Sequence, residues 1–369
     1  MILSKNMINK NFFVKKLHLD LILLICIILI LLMSIIVTWS ATGANEYLFR
    51  NKLIQILLGL IVMVIFAQIP PKFYEKWAFV LYFFCIFLLI SVYITGHSSK
   101  GAQRWLDLGL IKFQPSEITK IAIPLIISRI INKSIYPLPI KTYFQIIILI
   151  IIPTILIINE PDLGTAILID ISVLFILFLS GLSWKIIFNS LLIILLIMPL
   201  LWFFFIHDYQ KERIFMLFHS ENDPLKGGYH IIQSKIAIGS GGLFGKGWLN
   251  GTQNQFEFLP EKYTDFIFAI LAEEFGFIGV VLLIILYVIL ILRGMILASK
   301  AENIFGKIMI SGITIVLFFY IFINISMVSG LLPVVGIPLP LFSYGGSSLI
   351  VILANCGIIM SIHTHKKCK

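Results

Sequence analysis

The chain has 369 residues, of which 59% are apolar and 12% charged, against roughly a quarter charged in an ordinary soluble domain. With a mean hydropathy of +1.03, this composition excludes a water-soluble globular enzyme and predicts an integral membrane protein. The net charge of +10 does not indicate a nucleic-acid partner, because Lys and Arg stand at the ends of apolar runs and not along one face.

A helix rises about 1.5 Å per residue and the hydrocarbon layer is about 30 Å thick, so each crossing needs roughly 20 largely uncharged residues. Ten stretches satisfy this: 18–40, 53–69, 76–95, 113–131, 143–158, 162–180, 184–206, 265–292, 305–328 and 344–362. The fold class expected is an all-α polytopic membrane protein, a single transmembrane domain over 1–369 with about ten helices and a long outward loop, 207–264, between helices 7 and 8. With the N-terminus inside, 16 of the 28 Lys and Arg residues fall on the cytoplasmic side, which places both the 1–17 segment and the 363–369 tail there. The first apolar run is too long for a signal-peptide core and reads as a retained helix. The four cysteines form no CxxC pair and the seven histidines lack metal-ligand spacing, so neither disulfide nor zinc is indicated.

In the first outward connection and the helix after it, RWLDLGLIKFQPSEITK, Pro115 suits a first helical turn. Glu117 and Lys120 then lie three apart on one face, close enough to pair; ionisable residues inside spans are costly and often mark a function. NEPDLGT at 159–165 puts two carboxylates at an outward helix start, with Asp162 placed as an ordinary N-cap.

The 207–264 loop is too long for a simple connection and is not low-complexity. Tyr229 to Ile238 suits a short amphipathic helix on the membrane surface. The following GSGGLFGKG lacks the spacing of a nucleotide-binding loop, which leaves a glycine-rich turn or a backbone nest for an anion. The loop closes on LPEKYTDF, in which Asp265 stands at the start of an apolar helix. Two roles suit it. A helix cap would hold it ionised, whereas a general base at the edge of a lipid-facing cavity would have its pKa raised toward neutrality by partial desolvation.

The last outward connection, GLLPVVGIPLPLFSYG, carries three prolines yet is nearly all apolar. Non-helical backbone of that kind survives at membrane depth only when buried in protein or lining a cavity, so it is expected to dip into the bundle. SYGGSS, from Ser343 to Ser348, then opens the final helix with free amides and hydroxyls that suit phosphate.

The blocks GAQRWLDLG, FQPSEITK, NEPDLGTA, GYHIIQSKIAIGSGGLFGKGWLNGTQNQFEFLPEKYTDFIFAILAEEFG and LPVVGIPLPLFSYGGSS, in this order, resemble the SEDS family (shape, elongation, division and sporulation), and its elongation branch more than its division branch. The resemblance implies ten helices in the bacterial inner membrane. It implies polymerisation of lipid II at the outer face within the elongation machinery, in complex with a class B penicillin-binding protein as transpeptidase. It puts the catalytic aspartate at Asp265, a functionally important pair at Glu117 and Lys120, and positions where polar character matters at Arg104 and Asp162. Polyprenyl diphosphate would be the leaving group, already a good anion, so one base suffices. Arg213, Lys262, Arg104 and the Ser343–Ser348 helix end are the candidate donors to it, and a divalent cation is a possible cofactor. The runner-up is a transporter or flippase for the lipid-linked precursor, and a third reading is a non-catalytic scaffold for the transpeptidase.

Overall fold

The computed structural model describes residues 17–99, 102–107, 112–135, 137–186, 227–256, 258–259 and 261–365, with isolated positions between 188 and 215. Helices dominate: α1 (Leu21–Ala41), α2 (Glu46–Gln68), α3 (Pro71–Thr95), α4 (Ser116–Lys133), α5 (Ile140–Asn159), α6 (Leu163–Leu179), α7 (Gly227–Ser240), the single turn α8 (Thr252–Gln255), α9 (Ile267–Ser299), α10 (Ile304–Val328) and α11 (Gly346–Thr364). Seven of these are long and apolar enough to cross a membrane. α4 and α6 add two shorter helices in register with predicted spans. Most of the seventh predicted stretch, 184–206, lies outside the described residues.

Burial sorts the helices. α11 and α10 form the centre, packed against α2 and against α4, α6 and α9, whereas α2, α3 and α5 turn large apolar side chains outward, as lipid-facing helices must. α4 is nearly all buried, which explains how a span can carry Glu117 and Lys120: both point into protein. α2 begins before the predicted 53. In this earlier part Lys52 is fully buried and donates to the carbonyls of Ser343 at 2.6 Å and Phe342 at 3.4 Å.

The 97–112 connection, read from the sequence as one of the longer outward loops, carries secondary structure of its own. It forms a small antiparallel sheet in the order β1 (His97–Ser99), β2 (Ala102–Asp107), β3 (Lys112–Phe113). The expected amphipathic segment 229–238 is helical as part of α7, but it packs on α9 and α10. Ile231 and Ala237 are buried, and Ser234 Oγ donates to Val328 O at 2.8 Å.

The span predicted at 265–292 departs most from expectation. α9 breaks at Gly276, whose φ of 64° and ψ of −161° lie in a region essentially reserved for glycine. The segment before the break, Ile267 to Glu274, is buried on every side, while beyond it Phe277, Ile278 and Leu282 are exposed. The part after the break, from Phe277 to Ser299, is roughly 34 Å long and suffices to cross the hydrocarbon by itself.

A broken helix leaves carbonyls without partners on one side and amides on the other. The glycine-rich stretch 239–247 supplies both. Lys246 N and Gly247 N donate to the carbonyls of Glu273 and Glu274 at 3.0 Å each, and Phe277 N and Ile278 N donate to Gly242 O and Leu243 O at 2.9 and 3.2 Å. Of the two readings of GSGGLFGKG, the turn is therefore correct, and the amides at 246 and 247 are spent on the helix break. A Cβ on Gly276 would stand 2.3 Å from Gly245 N. Gly276→Ala is expected to destabilise the protein by about 3 kcal/mol or more, from strain plus overpacking, measurable as a fall in thermal midpoint. An unchanged midpoint would contradict the break.

The proline-rich connection dips into the bundle as expected. Ile337, Leu339, Leu341 and Phe342 are buried, and their backbone is held by side chains from four helices. Ser34 Oγ donates to Phe342 O at 2.6 Å, Lys52 to Ser343 O, Tyr287 Oη to Pro340 O at 2.6 Å and Asn324 Nδ2 to Ile337 O at 2.6 Å.

Candidate functional site

Asp265 sits one residue before the N-cap of α9, which is Phe266 and offers no side-chain cap. Asp265 thus stands next to the positive end of the buried half of α9. Asp265 is half-buried, and the turn that carries it is fixed on three sides. Asn324 Nδ2 donates to Asp265 O at 3.0 Å and to Ile337 O, which ties the turn to the proline-rich loop. Tyr344 N donates to Tyr263 O at 2.9 Å, and the two tyrosine rings meet edge to face. Thr264 Oγ1 donates to Glu261 Oε2 at 2.9 Å. Gly336 faces the carboxylate: a Cβ there would lie 3.6 Å from Asp265 Oδ2.

The same layer reaches Asp162. Gly164, in the first turn of α6, packs so closely on Val335 and Ile337 that a Cβ would meet them at 2.0 and 3.1 Å, and these residues bracket Gly336. Asp162 is the N-cap of α6, accepting from Thr165 N at 3.4 Å, and its Oδ2 also accepts from Thr165 Oγ1 at 2.9 Å and Gln114 Nε2 at 3.0 Å. Arg104, on β2, places Nη1 3.9 Å from Asp162 Oδ1 and donates to the carbonyls of Glu160 and Pro161. The small sheet thereby delivers a cation to the start of α6.

Glu117 and Lys120 pair at 2.6 Å, both buried, and Lys120 Nζ also donates to Tyr320 Oη at 2.7 Å. The Tyr320 hydroxyl, on α10, lies within electrostatic range of Glu117, Asp162 and Asp265 together. The hydroxyl thus contacts the ion pair, and the charges of Asp162 and Asp265 act on it from further off.

Other predicted residues stand apart. Lys262 Nζ donates to Asn254 O at 2.8 Å. Ser343 Oγ accepts from Leu339 N at 2.7 Å and Ser348 Oγ donates to Gly345 O at 3.3 Å, so both hydroxyls serve the loop that precedes α11. The first turn of α11 has no side-chain cap. Arg213 lies outside the described residues.

Sequence reasoning did not single out Tyr320, Asn324 or Gln114. Tyr320 and Asn324 are four apart on one face of an apolar span, a readable signal. Glu160, in the connection between α5 and α6, is almost fully buried, and among the described residues its two carboxyl oxygens have no hydrogen-bond partner. Burial and then the Asp162 charge push its pKa up to about 8, against the pull of Arg104. An acid of raised pKa costs nothing below its ordinary value, near 4.5, where folded and unfolded chains both hold the proton. As pH rises from there to about 8 the unfolded chain is favoured progressively, by about 1.4 kcal/mol per pH unit at most. Glu160→Gln is therefore expected to raise the thermal midpoint, with a gain that grows between pH 5 and 8 and then levels off. A gain independent of pH would contradict a neutral Glu160.

The class defined so far is a multi-pass helical membrane protein with a polar site built on loops at one end of its bundle. Residues 14–368 match the FtsW/RodA/SpoVE cell cycle protein family, and the chain belongs to that family. It is 55% identical over 359 residues to the peptidoglycan glycosyltransferase MrdB of Escherichia coli K12, covering 97% of each chain. Its fold is similar to a chain of a peptidoglycan synthase complex that coordinates polymerization and crosslinking, with a TM-score of 0.84, 28% identity and coverage of 95% of this chain and 99% of the other. It is also similar to the rod shape determining protein RodA of Thermus thermophilus, with a TM-score of 0.73, 27% identity and coverage of 95% and 98%.

Proposed function

We propose that this chain is a peptidoglycan glycosyltransferase that polymerises lipid II into glycan strands during cell elongation, with Asp265 as general base. The observation that carries the reading is the placement of Asp265. Its carboxylate is half-buried at a helix amino end, braced through its own backbone, and grouped with Lys120, Arg104 and Asp162 at one end of the bundle. The turn carrying Asp265 is partly exposed.

The chemistry needs one base. The Asp265 carboxylate takes the proton of the incoming sugar 4-hydroxyl as that oxygen forms its bond to the anomeric carbon. The bond from that carbon to the diphosphate breaks, the polyprenyl diphosphate leaves with the electron pair, and a single displacement inverts the centre. A diphosphate needs no protonating acid, unlike the leaving group of a glycosidase, which requires a second carboxylate. Arg104, Lys262, Arg213 and the amino end of α11 are the groups of this chain offered to the departing anion, and a divalent cation would share that charge.

The setting follows from the same reading. The site faces the outer side of the bacterial inner membrane, both termini are cytoplasmic, 207–264 is a periplasmic loop, and a class B penicillin-binding protein of the elongation machinery crosslinks the product. The test is to give labelled lipid II to the purified protein, with and without the transpeptidase. Glycan strands are expected. Translocation of the lipid in liposomes with no polymer formed would replace this reading with that of a transporter.

A further inference from the structure

Beside the break in α9, four buried side-chain oxygens on two adjacent residue pairs, Gln253–Asn254 and Glu273–Glu274, have no hydrogen-bond partner. Glu273 and Glu274 are both essentially inaccessible and adjacent in sequence. Glu273 Oε1 accepts from Lys246 Nζ at 2.7 Å, Thr252 Oγ1 at 3.0 Å and Gln253 N at 3.1 Å, yet its Oε2 has no partner. Glu274 Oε1 accepts from Ser40 Oγ and from Asn254 Nδ2 at 3.3 Å, and the Leu249 backbone amide stands beside the same carboxylate, yet its Oε2 has no hydrogen-bond partner. The amide oxygens of Gln253 and of the buried Asn254 are likewise buried and unpartnered. Gly251 forms the wall: a Cβ there would stand 2.9 Å from Glu273 Oε2 and 3.2 Å from Glu274 Oε1.

Two features make this arrangement unfavourable for the protein alone. Buried acceptors without donors are rare in native structures. Of the two adjacent carboxylates only Glu273 has an ammonium in contact, and both stand at the carboxyl-terminal end of a helix segment, where the backbone dipole is already negative. A cation answers both at once, and a set made only of carboxylate and amide oxygens suits a hard one. We propose that Glu273, Glu274, Asn254 and Gln253 bind a hard divalent cation, Mg2+ or Ca2+, that braces the break in α9. The site clamps the end of α1 at Ser40 and the 246–255 segment onto the helix that carries Asp265 at its other end, and it holds whether or not Asp265 is the base.

Equilibrium dialysis of the purified full chain against Ca2+, and separately against Mg2+, tests this. One ion per chain, bound saturably and retained in Asp265→Ala, is expected, with Glu274→Gln weakening it at least tenfold; the cation giving the tighter binding identifies the occupant. No bound ion at millimolar metal, or equal binding by Glu274→Gln, overturns the proposal, as does an ion lost in Asp265→Ala and kept in Glu274→Gln. If Glu274→Gln does not fold, Lys246→Met decides. Removal of the ammonium that pairs with Glu273 should tighten the ion at least tenfold and make thermal stability metal-dependent, whereas a destabilised variant with no response to metal overturns the proposal.

Discussion

Purified Asp265→Ala protein is expected to fold, to bind lipid II and to make glycan strands about 10²–10⁴-fold more slowly than wild type, the range a positioned general base contributes. Fold is expected to survive because the turn is held by backbone contacts that the substitution keeps: Asn324 to Asp265 O, and Tyr344 N to Tyr263 O. The N-cap of α9 is Phe266, which the substitution leaves in place. Turnover with thermal midpoint, measured on one preparation, separates the two effects. A large drop in midpoint accompanying the loss of activity would assign Asp265 a structural role.

Lys120→Met carries the largest expected penalty in stability. It strands Glu117, 3% exposed, without the ammonium 2.6 Å away, and breaking a buried pair in this way costs about 3–5 kcal/mol. The double variant Glu117→Met with Lys120→Met removes both charges and should recover most of that loss, since apolar replacement of a whole buried pair is often neutral or better. Activity then decides what the pair is for. If it only fills the core, the double variant polymerises normally. If it sets the field at Tyr320, which lies within range of both Asp162 and Asp265, the double variant is stable and slow.

The sequence exposed what depends on short-range spacing. Glu117 and Lys120 pair because helical period puts them on one face, and Asp162 caps α6 because a carboxylate before an apolar run is a common helix start. The prolines at 333, 338 and 340 announced a non-helical segment, and its apolar character announced burial. Contacts between distant segments were not legible in this way. Nothing local to Arg104 shows that it reaches Asp162, and nothing in the 239–247 glycines shows that they cap a break some thirty residues on. The break itself is hidden because AEEFGFIG continues an apolar run, and a glycine within such a run is often just a weak helix position. The role of Lys52 was hidden for a related reason. A charge at the start of a span ordinarily reaches for water, but here the reach is inward, to carbonyls that the prolines and tight turns of 333–343 leave without helical partners.

The membrane class and the family follow from composition and from motifs in order. Asp265 as the base is the step that carries the mechanism, and its most direct test is a single turnover with labelled lipid II in excess enzyme, wild type beside Asp265→Asn. Asparagine keeps the shape and cannot take the proton. Wild type should release polyprenyl diphosphate while the variant binds the lipid and releases essentially none; release by the variant at the wild-type rate would contradict the account.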